Sequence, residues 1–229
     1  FRRRPRYSTF HPSHCVSDMP REGIAIYGAG GHARVVLDIL RRQGRVVTAI
    51  VEDRRDVQES MAGIAVTKFS SENSLPSAQE LLWIVAVGDS VIRAHLVERL
   101  EALGFSFTKA IDHSAQIGSA VSIQEGSVVM PNAVINSGSV IGRHVIINTA
   151  SSVDHDCAIG DFCHVSPGCT LCGDVTVEHS VLLGVGAKVG PGVSIGAGSV
   201  VGAGAVLLKS IPAGVKAWGV PARIIGETA

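Results

Sequence analysis

The C-terminal half of the chain repeats every six residues, and this period limits the possible folds more than any other feature. An aliphatic residue returns at every sixth position, from Ile111, Ile117, Ile123 and Val129 through to Val201 and Leu207. Two residues before it, from Ile117 on, stands a small or slim residue, such as Ala115, Ser127, Cys157, Cys163, Cys169 or Ser199. Glycine often follows the aliphatic residue, as at Gly118, Gly142, Gly160, Gly184, Gly190, Gly196 and Gly202. A short fixed period means one supersecondary unit stacked on itself. Six residues exclude the 3.5-residue spacing of a coiled coil and suit a parallel β-helix, with one short strand and one turn per hexapeptide. Three hexapeptides close a triangular coil, so residues about eighteen apart stack on one face, with coils roughly 4.8 Å apart. The aliphatic residue is expected to fill the axis and the small one to fit a crowded turn. The glycine is expected to supply backbone angles that a Cβ forbids.

Composition agrees with a narrow aliphatic core: 46% of residues are hydrophobic but only 4% aromatic. Lys+Arg and Asp+Glu balance at 20 each, which argues against general nucleic-acid binding. No apolar run reaches membrane-spanning length, so neither a nucleic acid nor a membrane is an expected partner. The five cysteines are an odd number. Cys157, Cys163 and Cys169 occupy the small slot of the repeat and read as packing residues in a reducing, cytoplasmic setting, whereas Cys172 lies outside that slot. No paired CxxC motifs occur, and the H-x4-H pair of a γ-class carbonic anhydrase zinc site is missing, so no metal is expected.

Residues 1–20, with their arginine cluster, read as a solvated tail. Met19 immediately precedes the first foldable segment and is a candidate natural start. From Gly23 the pattern alternates strand and helix. Strands are predicted at Gly23–Tyr27, Val46–Val51 and Leu82–Val87. Helices are predicted at His32–Gln43 and from an Asp89 or Ser90 cap to about Leu103, with Gly104 ending the second and Phe105–Thr108 leading into the first coil. Gly28-Ala29-Gly30-Gly31-His32-Ala33 follows the first strand and fits G-x-G-x-x-G/A, with Glu52-Asp53 about twenty residues on. Such a loop presents N–H groups to an anionic ligand. About 88 residues are too few for the two-halved dinucleotide fold. A nucleotide or nucleotide sugar therefore fits better than NAD, and a purely structural turn is the remaining alternative. The organisation expected is a tail over 1–20, a Rossmann-like α/β domain over 21–108, a left-handed parallel β-helix over 109–212 and a C-terminal extension over 213–229.

Three features together resemble the sialic-acid O-acetyltransferase and bacillosamine/perosamine N-acetyltransferase family. They are the GAGGH loop, the hexapeptide repeat carrying Asn148-Thr149-x-x-x-x-Asp154-His155-Asp156, and the closing Gly-Val-Pro-Ala-Arg at 219–223. The resemblance covers roughly residues 22–226. It implies acetyl transfer from acetyl-CoA, as co-substrate, to a sugar amine or hydroxyl, in a homotrimer with active sites between subunits. It further implies that His155 is the general base and that Asp156 orients it, although the family often carries Glu there. By the same resemblance Asn148 lies near the acceptor, and His164 and the Gly173 N–H bind the coenzyme near its thioester. Val185 and Ala203 line the pantetheine groove. Gly28, Gly30, Gly31 and His32 surround the phosphates and sugar of a nucleotide-linked substrate, and Asp53 meets its nucleoside.

The residues support this chemistry independently. A thioester is already activated, so the acceptor needs only a base to lose its proton, and imidazole suits neutral pH. An acid beside the imidazole can hold its other N–H and stabilise the imidazolium. Gly173, one coil above His155, is expected to leave open space over it. His113, His144 and His179 carry no motif and are expected at the surface. Acetylation of the amino group of a nucleotide-linked amino sugar is the expected activity. O-acetylation of sialic acid and a non-catalytic sugar-binding scaffold are the alternatives.

Overall fold

The computed structural model describes residues 23–54, 58–69, 75 and 81–228; the arginine-rich tail lies outside them. The first half is a sheet covered by one helix on each face. Its strands are β1 (Gly23–Tyr27), β2 (Val47–Glu52), β3 (Ser60–Met61), β4 (Ile64–Lys68), β5 (Leu81–Val85) and β6 (Ser106–Phe107). They lie in the order β3-β4-β2-β1-β5-β6, parallel except for the β3–β4 hairpin. Helix α1 (Gly31–Arg42) buries Val36, Leu37, Ile39 and Leu40 against one face. Helix α2 (Ser90–Ala102) buries Leu96, Val97 and Leu100 against the other, beside Trp83 and Phe105. The Asp89 carboxylate caps α2 by accepting from the Val91 and Ile92 N–H groups. Gly104 follows the helix at φ +79°.

Two parts of this half escaped the sequence pattern. The β3–β4 hairpin is too short for a clear alternation of apolar and polar residues. Ser106–Phe107, read as a lead into the first coil, is instead the edge strand β6, paired with β5.

The second half is a parallel β-helix of seventeen two-residue strands, from β7 (Ala110–Ile111) to β23 (Val206–Leu207). Val128 pairs with Ile146, and Ile146 with His164, an offset of eighteen residues that repeats on all three faces. One core column runs inside, through Ile135, Val153, Leu171 and Val189, and includes Cys157, Cys163 and Cys169 as fully buried packing residues. The four cysteines among the described residues are free thiols. After β23, β24 (Val215–Gly219) continues the first face beside β22 (Val200–Val201). It turns at Gly219–Ala222 into the antiparallel β25 (Ala222–Glu227), so the Gly-Val-Pro-Ala-Arg segment is a hairpin turn.

The glycines work differently from the expectation. The left-handed backbone position is three residues after the aliphatic one. It carries glycine at Gly168, Gly186 and Gly192, but Ala150, His144, Asp156 and Phe162 elsewhere, with φ between +54° and +69° at these residues. The glycine directly after the aliphatic residue has no positive φ. It is small because the next coil lies against it: a Cβ on Gly160 would stand 2.7 Å from the His179 backbone nitrogen, and one on Gly184 2.6 Å from that of Ala203.

The two halves are tied at several points. Arg42 reaches Asp112 at 2.6 Å, and Arg45 and Gln43 donate to the carbonyls of Lys109 and Ile111. Arg143 of the β-helix bonds both Glu101 and Glu125. His144, expected at the surface, is fully buried here. Its ring stacks on Phe162 with centroids 5.3 Å apart and meets the edge of Phe107 at 4.6 Å. It fits because Gly126, one coil earlier, leaves room where any Cβ would collide with the ring.

Candidate active site

A cleft of about 460 Å³ opens at the C-terminal ends of β1, β2 and β5. That is where an open parallel sheet offers a ligand site. Gly28 has φ +112°, and a Cβ on it would stand 2.9 Å from the Ala86 carbonyl oxygen, so only glycine fits. Gly30 caps α1 without any side-chain hydrogen bond, leaving the N–H groups of the first turn turned to the cleft. His32 lines the cleft, with Nε2 buried and unpartnered among the described residues. Burial, then the neighbouring His164 and Arg93, lowers its pKa to about 3.

The two acids at the end of β2 have separate tasks. Glu52 is buried and accepts from the Ala29 N–H at 3.0 Å and from Arg54 Nη2 at 2.7 Å. Burial alone would raise its pKa, but the bonds from the Arg54 side chain and from the Ala29 and Arg54 N–H groups bring it to about 2. Glu52 is thus occupied in holding the glycine loop, while Asp53 is exposed at the cleft wall. Arg54 also lines the cleft, its guanidinium beside Gly30. Sequence reasoning passed over Arg54; a base two residues beyond the strand end was the available signal.

His155 lies on the β-helix corner between β14 (Ser152–Val153) and β15 (Ala158–Ile159). Its Nδ1 is 3.0 Å from Asp156 Oδ2, and its N–H donates to Asp154 Oδ1. Asp156 occupies the left-handed slot at φ +57°, which turns its carboxylate back beside the ring. Asp is short enough for this contact, so the pair forms without Glu. The hydrogen bond that its ring donates to Asp156, then the charge of Asp154, raises the His155 pKa above the ordinary imidazole value. The space over Gly173 is filled by the imidazole itself: a Cβ there would lie 2.5 Å from His155 Nε2. Gly173 is small so that this ring can lie flat on the next coil.

The remaining candidates sit elsewhere. Asn148 Nδ2 is 3.0 Å from His164 Nε2, and His164 Nδ1 is 3.3 Å from the Gly88 carbonyl, so this pair abuts the cleft rather than His155. Burial, then Arg93, lowers the His164 pKa to about 4. Val185 and Ala203 are exposed and stack on the corner that also carries Asn148. One chain therefore brings together cleft, His32, Asn148 and His164, and separately His155, Asp156 and Gly173. Among the described residues no three His, Cys, Asp or Glu side chains gather as metal ligands. No helix among them is long and apolar enough to cross a membrane.

Comparison with known proteins agrees with this layout. Residues 23–100 match the PglD N-terminal domain, and residues 174–209 match the bacterial transferase hexapeptide (six repeats). GDP-perosamine N-acetyltransferase of Escherichia coli O157:H7 is 32% identical over 207 residues, covering 86% of this chain and 94% of that protein. Among solved structures, PerB from Caulobacter crescentus, in complex with CoA and GDP-perosamine, is 41% identical with a TM-score of 0.82, covering 92% of this chain and all of that one. The acetyltransferase domain of PglB from Neisseria gonorrhoeae FA1090 is 37% identical with a TM-score of 0.83, covering 89% of this chain and all of that domain. By its cleft, its corner histidine and these relationships along nearly its whole length, the chain belongs to the hexapeptide-repeat family of sugar N-acetyltransferases.

Proposed function

We propose that the protein transfers an acetyl group from acetyl-CoA to the amino group of a nucleotide-linked amino-deoxy sugar. The observation that carries this reading is the His155–Asp156 pair, held over Gly173 on an exposed corner, in a chain that also keeps a nucleotide-sized cleft. Asp156 takes the Nδ1–H, so Nε2 is the free acceptor. As the amine nitrogen attacks the thioester carbon, His155 Nε2 takes the proton that nitrogen loses. The C–S bond breaks, and the imidazolium returns the proton to the departing thiolate. The Gly173 N–H, without an acceptor among the described residues, is the donor we assign to the thioester oxygen.

The nucleotide sugar is assigned to the glycine-loop cleft, with Gly28, Gly30, Gly31 and His32 at phosphate and sugar, and Asp53 at the nucleoside. Asn148 is assigned to the acceptor, and His164, Val185 and Ala203 to the coenzyme. Because these groups lie on different corners of one chain, we assign the working enzyme as a homotrimer in which neighbouring subunits complete each site. We place it in the cytoplasm, consistent with its free cysteines, with a product that serves glycan synthesis. The test is thiol release from acetyl-CoA across UDP-, GDP- and dTDP-linked 3-amino and 4-amino sugars, with free sialic acid included. Turnover on one nucleotide amino sugar is expected. Turnover on sialic acid alone would establish O-acetylation, and silence across the panel would establish a binding scaffold.

A further inference from the structure

Arg93 is the charged member of an otherwise apolar stripe on α2, with Leu96, Val97 and Leu100, and it is 1% exposed. All five of its N–H donors reach main-chain carbonyls. Nε donates to His144 O at 2.9 Å, Nη1 to Val87 O at 2.8 Å and Gly88 O at 2.9 Å, and Nη2 to Phe162 O at 2.6 Å and Cys163 O at 3.4 Å. Among the described residues no carboxylate forms an ion pair with it. A buried charge without a counter-ion is a poor stabiliser compared with an apolar side chain of similar volume. Its value must then lie in what the five carbonyls hold in place.

Two of those carbonyls, from Val87 and Gly88, belong to the rear wall of the cleft. The other three belong to turns of the β-helix. The Gly88 carbonyl is shared, for His164 Nδ1 also points to it at 3.3 Å. A carbonyl only accepts, so His164 carries its proton on Nδ1. Its Nε2 then accepts from Asn148 Nδ2, whose amide is oriented by the bond from the Thr149 N–H to Asn148 Oδ1.

We propose that Arg93 is a positioning residue of the reaction, fixing through the Gly88 carbonyl both the rear wall of the nucleotide cleft and the Nδ1–H form of His164. The inference rests on the function proposed above. The charges facing His164 support it. Arg93 approaches from α2 and His32 from α1, while Cys163 is its neighbour in the chain. Burial lowers the Arg93 pKa only to about 10, so it stays a cation and favours neutral imidazoles at both histidines.

The test compares wild type with Arg93→Lys and Arg93→Met, each checked first for a single cooperative melting transition, by ¹⁵N NMR of the imidazoles at neutral pH. The wild-type His164 is expected with Nδ1 protonated and Nε2 bare. In both variants the Nε2–H form should appear. The KM for the nucleotide sugar should then rise about tenfold through the displaced cleft wall, and that for acetyl-CoA should rise with it, because His164 is assigned to the coenzyme. Lysine, with three donors, should rescue part of that rise. A wild-type His164 in the Nε2–H form overturns the proposal, as do variants that keep Nδ1–H or leave the sugar KM unchanged. Should Arg93→Met fail to fold, Arg93→Lys decides. The tautomer is read without turnover, so a chain that acetylates no nucleotide sugar sinks the proposed function while the spectrum still decides the role of Arg93.

Discussion

The corner that carries His155 and the junction that carries Arg93 reach comparable order by opposite means. At the corner each residue's neighbours are set by its distance along the chain: Gly173 lies under His155 because it is eighteen residues on. The ring is exposed, its partner is adjacent in sequence, and little of the core depends on it. At the junction the neighbours come from α1, α2 and three β-helix turns at once. Arg93 and His144 are buried and His164 is half-buried, and the bonds from Arg93 to His144 and Phe162 and from His164 to Gly88 span fifty residues or more. The corner can therefore change chemistry without unfolding, whereas the junction cannot change charge without affecting the packing of both halves.

The largest test of this contrast is at the corner. His155→Ala should lower turnover by about 10²–10⁴-fold, the usual worth of a positioned base. Melting should be unchanged, because the ring is outside the buried ladder. Near-normal turnover would remove His155 as the base.

A smaller effect is expected at the junction, where the quantity is stability against pH. Burial, then Arg143 and Arg93, lowers the His144 pKa to about 3. The unfolded chain binds this proton below the ordinary value of about 6.5, and the folded one does not. Stability contributed by the neutral ring is thus complete above that value and is lost as pH falls towards the folded pKa, about 2 kcal/mol by pH 5. His144→Phe removes the term, and the backbone slot accepts it, since Phe162 has the same left-handed φ. The wild type should lose more denaturation free energy than the variant between pH 7 and pH 5. Equal losses would show that the junction is indifferent to the charge of this ring.

The smallest expected effect is the difference in cost between the two kinds of glycine within the repeat. Gly160→Ala forces a Cβ against the backbone of the next coil and should cost about 2–3 kcal/mol, as overpacking does. Gly192→Ala, with φ +66° and open space around it, should cost only about 1 kcal/mol. Denaturant midpoints measure both. A reversed order would mean that the backbone angle, rather than coil contact, selects these glycines.

Much of the molecule was legible because the repeat links position to place. The inward aliphatic column and the buried Cys157, Cys163 and Cys169 follow from spacing, since residues six and eighteen apart have set spatial relations, whereas the contact of His155 with Asp156 was expected from their adjacency and the family resemblance. Glycine was misread where two causes leave the same residue: Gly160 avoids a contact and Gly192 permits an angle, and a one-letter pattern does not separate them. His144 was misread because it stands at a corner position that is exposed on other coils. Only the docked α/β half, with Phe107 on its last strand, covers it. Arg93 left a trace, a charge in the apolar stripe of α2, but no spacing connects it with Gly88, His144 and Phe162. The sequence by itself determined the β-helix, the glycine loop and the corner histidine, because local spacing suffices for each. The tertiary structure alone decided that Glu52 holds the loop while Asp53 faces the cleft, that His164 reaches Gly88, and that Arg93 clamps the two halves. Those choices depend on which surfaces meet when the halves pack, and no local pattern encodes that meeting.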